Sequence, residues 1–299
     1  DALPISYFHW IDNLRDWCIS RQIWYGHRVP VWYKGEETYC GVEAPEGDGW
    51  TQDEDSLDTW FSSGLWSFST LGWPQETEDL SVYHPTTVLV SAYEILFPWM
   101  ARMILMTQYA LGTIPFETIL LTGIVRDNQG RKFSKSLGNG IDPIDIAKKY
   151  GSDAGRMALI FGTAPGTDMK LSEDKIKGQK HFANKIWNIT RFVFSQENSG
   201  EIKPDLKQEF DALADSITKD LDAFRLHTAA ETLYNYIWTR FADEILEASK
   251  KEPGYGATLY YILEGSLKLL HPFMPFVTET LWEMLGHDTL LMTTPWPHS

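Results

Sequence analysis

Two lysines three residues apart, Lys132 and Lys135, sit in the stretch Arg131-Lys132-Phe133-Ser134-Lys135-Ser136-Leu137-Gly138-Asn139, beside two serine hydroxyls and a glycine. Such groups suit phosphate handling. A lysine ammonium is a mobile point charge that can follow negative charge as it develops on a triphosphate. Serine hydroxyls and backbone N–H groups hydrogen-bond the same oxygens. No Gly-x-x-x-x-Gly-Lys pattern is present, so this is not a P-loop. On residue types alone an ordinary basic surface loop is the lesser alternative, and the flanking elements must decide.

Upstream, Thr118 to Val125 is a short apolar, β-prone run, and Arg126-Asp127-Asn128-Gln129-Gly130 is a polar turn, so the loop leaves the carboxyl end of a buried strand. Downstream, Asp142 reads as an N-cap with Pro143 in the first helical turn and Gly151 as the stop. Thr86 to Val90 is a second strand, followed by a helix over residues 92–111 that ends at Gly112. Strand, helix and strand make a βαβ unit with a parallel pair, and ligands in such sheets bind beyond the carboxyl ends of the strands. Glu94 and Lys135 both follow those ends.

With these elements in place, Lys132 to Asn139 resembles the KMSKS loop of the class I aminoacyl-tRNA synthetases, with Phe133 where methionine is usual. Further stretches are similar to the valyl-tRNA synthetase family: Asp16-Trp17-Cys18-Ile19-Ser20-Arg21-Gln22, Trp24 to Pro30, Leu57 to Trp66, and Trp99-Met100-Ala101-Arg102-Met103. The resemblance covers essentially the whole chain. It implies ATP-dependent activation of valine to valyl-adenylate and transfer to tRNA(Val), with Mg2+ accompanying ATP. It implies that Lys132 and Lys135 are catalytic and that Lys132, Ser134, Lys135 and Ser136 bind ATP. It places Trp60, Glu94 and Ile95 in the amino-acid pocket. Glu94 stands where the family has aspartate, and Thr122 where it has histidine. The fold implied is α/β, the second half of a Rossmann-like parallel sheet, followed by an all-α anticodon-binding helix bundle. The expected divisions are 1–136 for the catalytic half with a short insertion at 34–52, 137–174 for a stem-contact fold, and 175–299 for the bundle. The resemblance also implies a cytoplasmic monomer and a fragment without the HIGH motif or the editing insertion, inactive by itself. An isoleucyl-tRNA synthetase fragment shares this architecture, and a non-catalytic tRNA-binding module is the alternative outside catalysis. The Asp58-to-Trp66 stretch favours valine, and keeping the lysine loop favours an enzyme.

The 299 residues suffice for about two domains. No run of about 18 apolar residues marks a membrane span. The net charge of −15 argues against a protein that grips nucleic acid over its whole surface, and leaves a restricted basic face open. Near the amino terminus Arg15, Arg21, His27 and Arg28 interleave with Trp17, Trp24 and Tyr25. That composition suits stacking and phosphate contact, and fits a packed aromatic helix end with solvated arginines equally well. Cys18 and Cys40 make neither a disulfide framework nor a four-ligand zinc site, so no structural zinc is expected and each reads as a free buried thiol.

Leu57, Phe61, Leu65 and Phe68 predict one helix over residues 56–71. Ser152 starts another capped helix. From Lys175 the period is helical throughout, with faces Phe182, Ile186, Ile189, Val193; Leu213, Ile217, Leu221, Phe224; and Leu233, Ile237, Phe241. Trp187 and Phe273 read as core. Lys177, Lys180, Lys185 and Arg191 give the bundle a basic side, which suits a solvated helix face or tRNA contact. Arg15, Arg21, Arg28, Lys185 and Arg191 are the tRNA-binding candidates.

Overall fold

The computed structural model describes residues 8–134 and 136–297. Lys135, one of the two lysines singled out above, lies outside the described residues. The chain divides into two compact units, residues 1–122 and 123–299.

In the first unit, β1 (Ser20–Arg21) pairs with β5 (Ser56–Leu57), while β2 (Val31–Lys34), β3 (Glu37–Cys40) and β4 (Thr51–Gln52) form a small antiparallel sheet. The single helix expected over 56–71 is two, α1 (Thr59–Gly64) and α2 (Trp66–Ser69). Leu57 is committed to pairing with Ser20, and Asp58 caps α1 through the Trp60 N–H. At Leu65 the N–H turns to the Ser62 carbonyl at 3.1 Å and breaks the winding. After α3 (Glu78–Tyr83), β6 (Thr86–Ala92) runs parallel to β7 (Phe116–Thr122), pairing Val88 with Thr118 and Ala92 with Thr122. Between them the chain makes a 3-10 turn at Tyr93–Ile95, a π-helical turn at Leu96–Ala101 and α4 (Arg102–Leu111). Pro98, which lacks an N–H and crowds the preceding turn, sits inside the widened stretch. Leu89, Leu96, Met100, Met103 and Phe116 form the core beneath.

The strand expected over 118–125 ends at Thr122. Val125–Arg126 is a separate strand, β8, pairing with β9 (Met169–Lys170). Gly123 lies between them, where a Cβ would fall 1.7 Å from the Thr167 carbonyl oxygen, so only glycine passes. The lysine loop therefore follows β8. Then come α5 (Pro143–Tyr150), capped by Asp142 as expected, and α6 (Ser152–Ile160). α6 has Gly151 at its N-cap and no capping side chain.

The helical remainder comprises α7 (Glu173–Phe194), α8 (Pro204–Asp222), α9 (Leu226–Asn235), a π-helical run Tyr236–Ile245, α10 (Leu246–Ser249), α11 (Gly256–Leu270) and α12 (Pro275–Met284). Phe182, Ile186, Ile189 and Val193 of α7 are buried, as are Leu233, Ile237 and Phe241. On α8 Leu206, Phe210, Ala214 and Ile217 are buried and Leu213 and Leu221 pack partly buried against the same core, whereas Phe224, expected on that stripe, lies past the helix end at Asp222 with φ 56°. Phe273 is buried and Trp187 is half-buried at the edge of the same core. Gly265 of α11 meets the fully buried Phe210 ring, where a Cβ would come within 2.3 Å.

The first turn of α6 is engaged elsewhere. The buried Asp153 carboxylate accepts from the backbone N–H groups of Phe276 at 3.2 Å and Val277 at 2.6 Å, supplying the cap that Met274 does not give α12. One turn on, Arg156 donates to the carbonyls of Pro272 at 3.0 Å and Phe273 at 3.3 Å. Asp153→Ala strands two donors at a helix start and is expected to cost about 1–3 kcal/mol. Hydrogen exchange should speed up in the peptide over residues 270–285, and unchanged protection there would remove Asp153 from this role.

Candidate active site

The loop after β8 is tied by one carboxylate. Asp127 Oδ1 accepts from the backbone N–H groups of Gln129 and Arg131, each at 2.9 Å. Its Oδ2 accepts from Arg131 Nε at 2.8 Å and Asn139 Nδ2 at 2.9 Å. The Asn139 bond is the largest influence holding this carboxyl well below the usual carboxylate range, followed by those of Arg131 and Gln129. Asn139 reaches back in turn, with Oδ1 accepting from the Ser134 N–H at 2.9 Å and Nδ2 donating to the Lys132 carbonyl at 3.2 Å. Ser134 and Ser136 hydroxyls lie 2.7 Å apart. Lys132 is exposed, bridging Arg126 through its backbone. Phe133 is partly buried against the cluster formed by Ile146, Ala154, Ala158, Met169, Leu171 and Ile176, so the apolar position of the motif anchors the loop. A polar recess of about 490 Å³ opens beside it, lined by Asp127, Arg131, Phe133, Asn139, Ser172 and Asp174 among others.

In the first unit, Trp60 is half-buried on α1, Glu94 exposed and Ile95 half-buried in the 3-10 turn. Trp99 Nε1 donates to the Ser63 carbonyl at 2.9 Å and so docks the helical segment after β6 onto α1. Arg21 is held by Asp58 at 2.8 Å and by the Cys18 and Ser20 carbonyls, each at 2.7 Å. Arg28 donates to the Asp53 carbonyl at 2.8 Å. Arg15 and Arg191 are exposed, and Lys185 pairs with Asp243 at 3.0 Å while lying 4.3 Å from the Trp238 ring centre. Trp24 and Tyr25 are 98% and 89% exposed. Both cysteines are exposed, correcting the buried thiols expected: Cys18 lies in the irregular stretch before β1, and Cys40 ends β3, an edge strand exposed along its whole length. The Ser20 hydroxyl lowers the pKa of the Cys18 thiol.

Two arrangements escaped the reading of residue types. Asp127, Arg131 and Asn139 look like turn residues, and their four-residue and twelve-residue spacings gain meaning only once β8 bends back. Arg102 lies 4.1 Å from the Trp17 ring centre and 5.2 Å from that of Phe97, and burial pushes its pKa down.

Residues 3–172 match the family model for class I tRNA synthetases (I, L, M and V), and residues 205–299 the one for the anticodon-binding domain of tRNA ligases. The chain belongs to the class I tRNA synthetases. Among curated relatives of this synthetase, the valine–tRNA ligase of Bacillus licheniformis is 43% identical across 100% of the chain and that of Streptomyces avermitilis 45% across 97%. The chain spans 37% and 36% of those two proteins. Among solved structures, a LeuRS–tRNA–LeuAMS complex from Agrobacterium radiobacter K84 superposes with a TM-score of 0.77 at 21% identity, covering 98% of this chain and 44% of that one. Mycobacterium tuberculosis methionyl-tRNA synthetase with methionyl-adenylate gives 0.74 at 21% identity, covering 96% and 58%. These two likenesses establish the fold of the synthetase chain: a mixed α/β portion followed by a helical domain. Among its described residues no helix is long and apolar enough to cross a membrane.

A carboxyl whose folded pKa is depressed stabilises the fold above its unfolded pKa, near pH 4, and loses that contribution as pH falls toward the folded value. The stability gap between the wild type and Asp127→Asn should therefore be full at pH 7 and shrink below about pH 4. Urea midpoints at pH 7 and pH 3 check this, and a gap independent of pH would place the carboxylate outside the loop's stability.

Proposed function

We propose that this chain is the carboxyl-side portion of a valine–tRNA ligase, carrying the second half of a Rossmann-like catalytic sheet and an anticodon-binding bundle. The chain-long likeness to curated valine–tRNA ligases carries this reading. The parent enzyme activates valine with ATP, as its magnesium complex, to valyl-adenylate and pyrophosphate, then passes the acyl group to the 3′ end of tRNA(Val). It acts as a cytoplasmic monomer.

Lys132 and Lys135 meet the triphosphate as charge moves onto the departing pyrophosphate, with the Ser134 and Ser136 hydroxyls donating to the same oxygens. Trp60 and Ile95 wall a pocket for a small branched side chain, and Glu94 takes the substrate ammonium. Arg15, Arg21, Arg28, Lys185 and Arg191 are assigned to tRNA. Of these Arg21, Arg28 and Lys185 would act while also serving the fold, since each already holds a partner. Valine-dependent ATP–pyrophosphate exchange and charging of tRNA(Val) by the full-length protein test the proposal. Exchange that prefers isoleucine, or none with any amino acid, would overturn it.

Lys135→Ala in the full-length enzyme should remove about 2–4 kcal/mol from the transition state, roughly 30- to 1,000-fold in the rate constant of adenylate formation, with a smaller effect on ATP affinity. A normal single-turnover rate would return the loop to the surface reading. Trp60→Ala should admit bulkier amino acids, changing valine-over-isoleucine selectivity by roughly tens to hundreds of fold, since one methylene in such a pocket is worth about 1–3 kcal/mol. Unaltered discrimination in the activation step would assign Trp60 to packing.

A further inference from the structure

We infer that Asn139 is a positioning residue for the lysine loop, its carboxamide setting which side chains the loop presents to the phosphates. The inference rests on the loop being the pyrophosphate-handling element proposed above.

In an extended chain the carbonyl of residue 132 and the N–H of residue 134 lie on the same edge, where a neighbouring parallel strand would engage both from a single residue. Asn139 fills that place with one side chain. Its Nδ2 donates to the Lys132 carbonyl at 3.2 Å and its Oδ1 accepts from the Ser134 N–H at 2.9 Å. The second Nδ2 hydrogen goes to Asp127 Oδ2 at 2.9 Å, so the clamp is anchored to the carboxylate that closes the preceding turn. Every polar group of the amide is thereby used. Aspartate has the same shape but cannot donate, and would set a second negative charge against Asp127.

The clamp fixes register. Side chains alternate across an extended segment, so with Phe133 packed on the cluster that contains Ile146, Met169 and Leu171, Lys132 and Ser134 are directed to the opposite side. A slip of one residue would exchange the two faces. Phe133 supplies the apolar reason for one register and Asn139 the polar one.

The test is single-turnover adenylate formation by the full-length enzyme. Asn139→Ala and Asn139→Asp should each lower the rate constant about 10- to 100-fold, the scale of misplacing a catalytic group by about an ångström. The KM for valine should change less than about twofold, because the amino-acid pocket is untouched. Active-site titration should show full occupancy, which separates slow chemistry from partial unfolding. In a Lys135→Ala background the same Asn139→Ala change should cost less than it does in the wild type, since part of what Asn139 positions is gone while Lys132 and the serines remain. An unchanged rate in Asn139→Ala, or a full multiplicative loss in the double variant, would overturn the inference. Hydrogen exchange at the Ser134 amide reads the clamp without the reaction: faster exchange in Asn139→Ala supports it and unchanged protection overturns it. A wild-type enzyme without valine-dependent exchange would sink the functional reading separately.

Discussion

The α11–α12 turn is the joint on which the helical unit depends, and it is held by the carboxylate of Asp153 and the guanidinium of Arg156. Two N–H groups at the start of α12 point out of the helix with no intrahelical acceptor, and two carbonyls precede them in a Pro-rich turn. Asp153 takes the first pair and Arg156 the second, so one short helix satisfies both halves of the turn. Because α6 follows the lysine loop and α5 directly in sequence, the same helix ties the loop's supporting cluster of Ile146, Ala154 and Ala158 to the bundle core. A rigid mounting of this kind gives a loop made of glycine, serine and lysine something fixed to act from.

The loop combines two demands that oppose each other. On the proposed reading, long ammonium side chains must stay adaptable, while the backbone that carries them has to hold one register. Asp127, Asn139 and Phe133 meet the second demand through hydrogen bonds to the loop backbone and through apolar packing. The bonds to Asp127 are charge-assisted and so tolerate partial exposure better than neutral ones.

Strong local signals were legible in the sequence. Asp142-Pro143 and Gly151 bound α5 as expected, β6 and β7 pair in parallel, and the apolar stripe of α7 is buried at each of the four positions expected. What was not legible depended on partners distant in sequence. Leu57 has helical spacing but is drawn into pairing with Ser20, and Ser152 looks like a cap although the working carboxylate, Asp153, serves a helix that begins at Pro275. At Gly123 the strand breaks because the Thr167 carbonyl crowds it, and nothing within a dozen residues announces that. The site shows the same division. Lys132, Ser134 and Ser136 stand out by type, whereas Asp127 and Asn139 acquire roles only from a bend that brings them together.

The π-helical turn at Leu96–Ala101 holds more residues per revolution than the α-helix it leads into. It absorbs surplus chain while leaving the end of β6 and the apolar stripe of α4 in phase with the core. Removing one residue there would let the segment rewind as ordinary α-helix without turning Met103 away from Leu89 and Phe116. The segment that follows Glu94 and Ile95 thus carries a length reserve, through which descendants of this sequence could reshape the backbone there by deletion rather than by substitution.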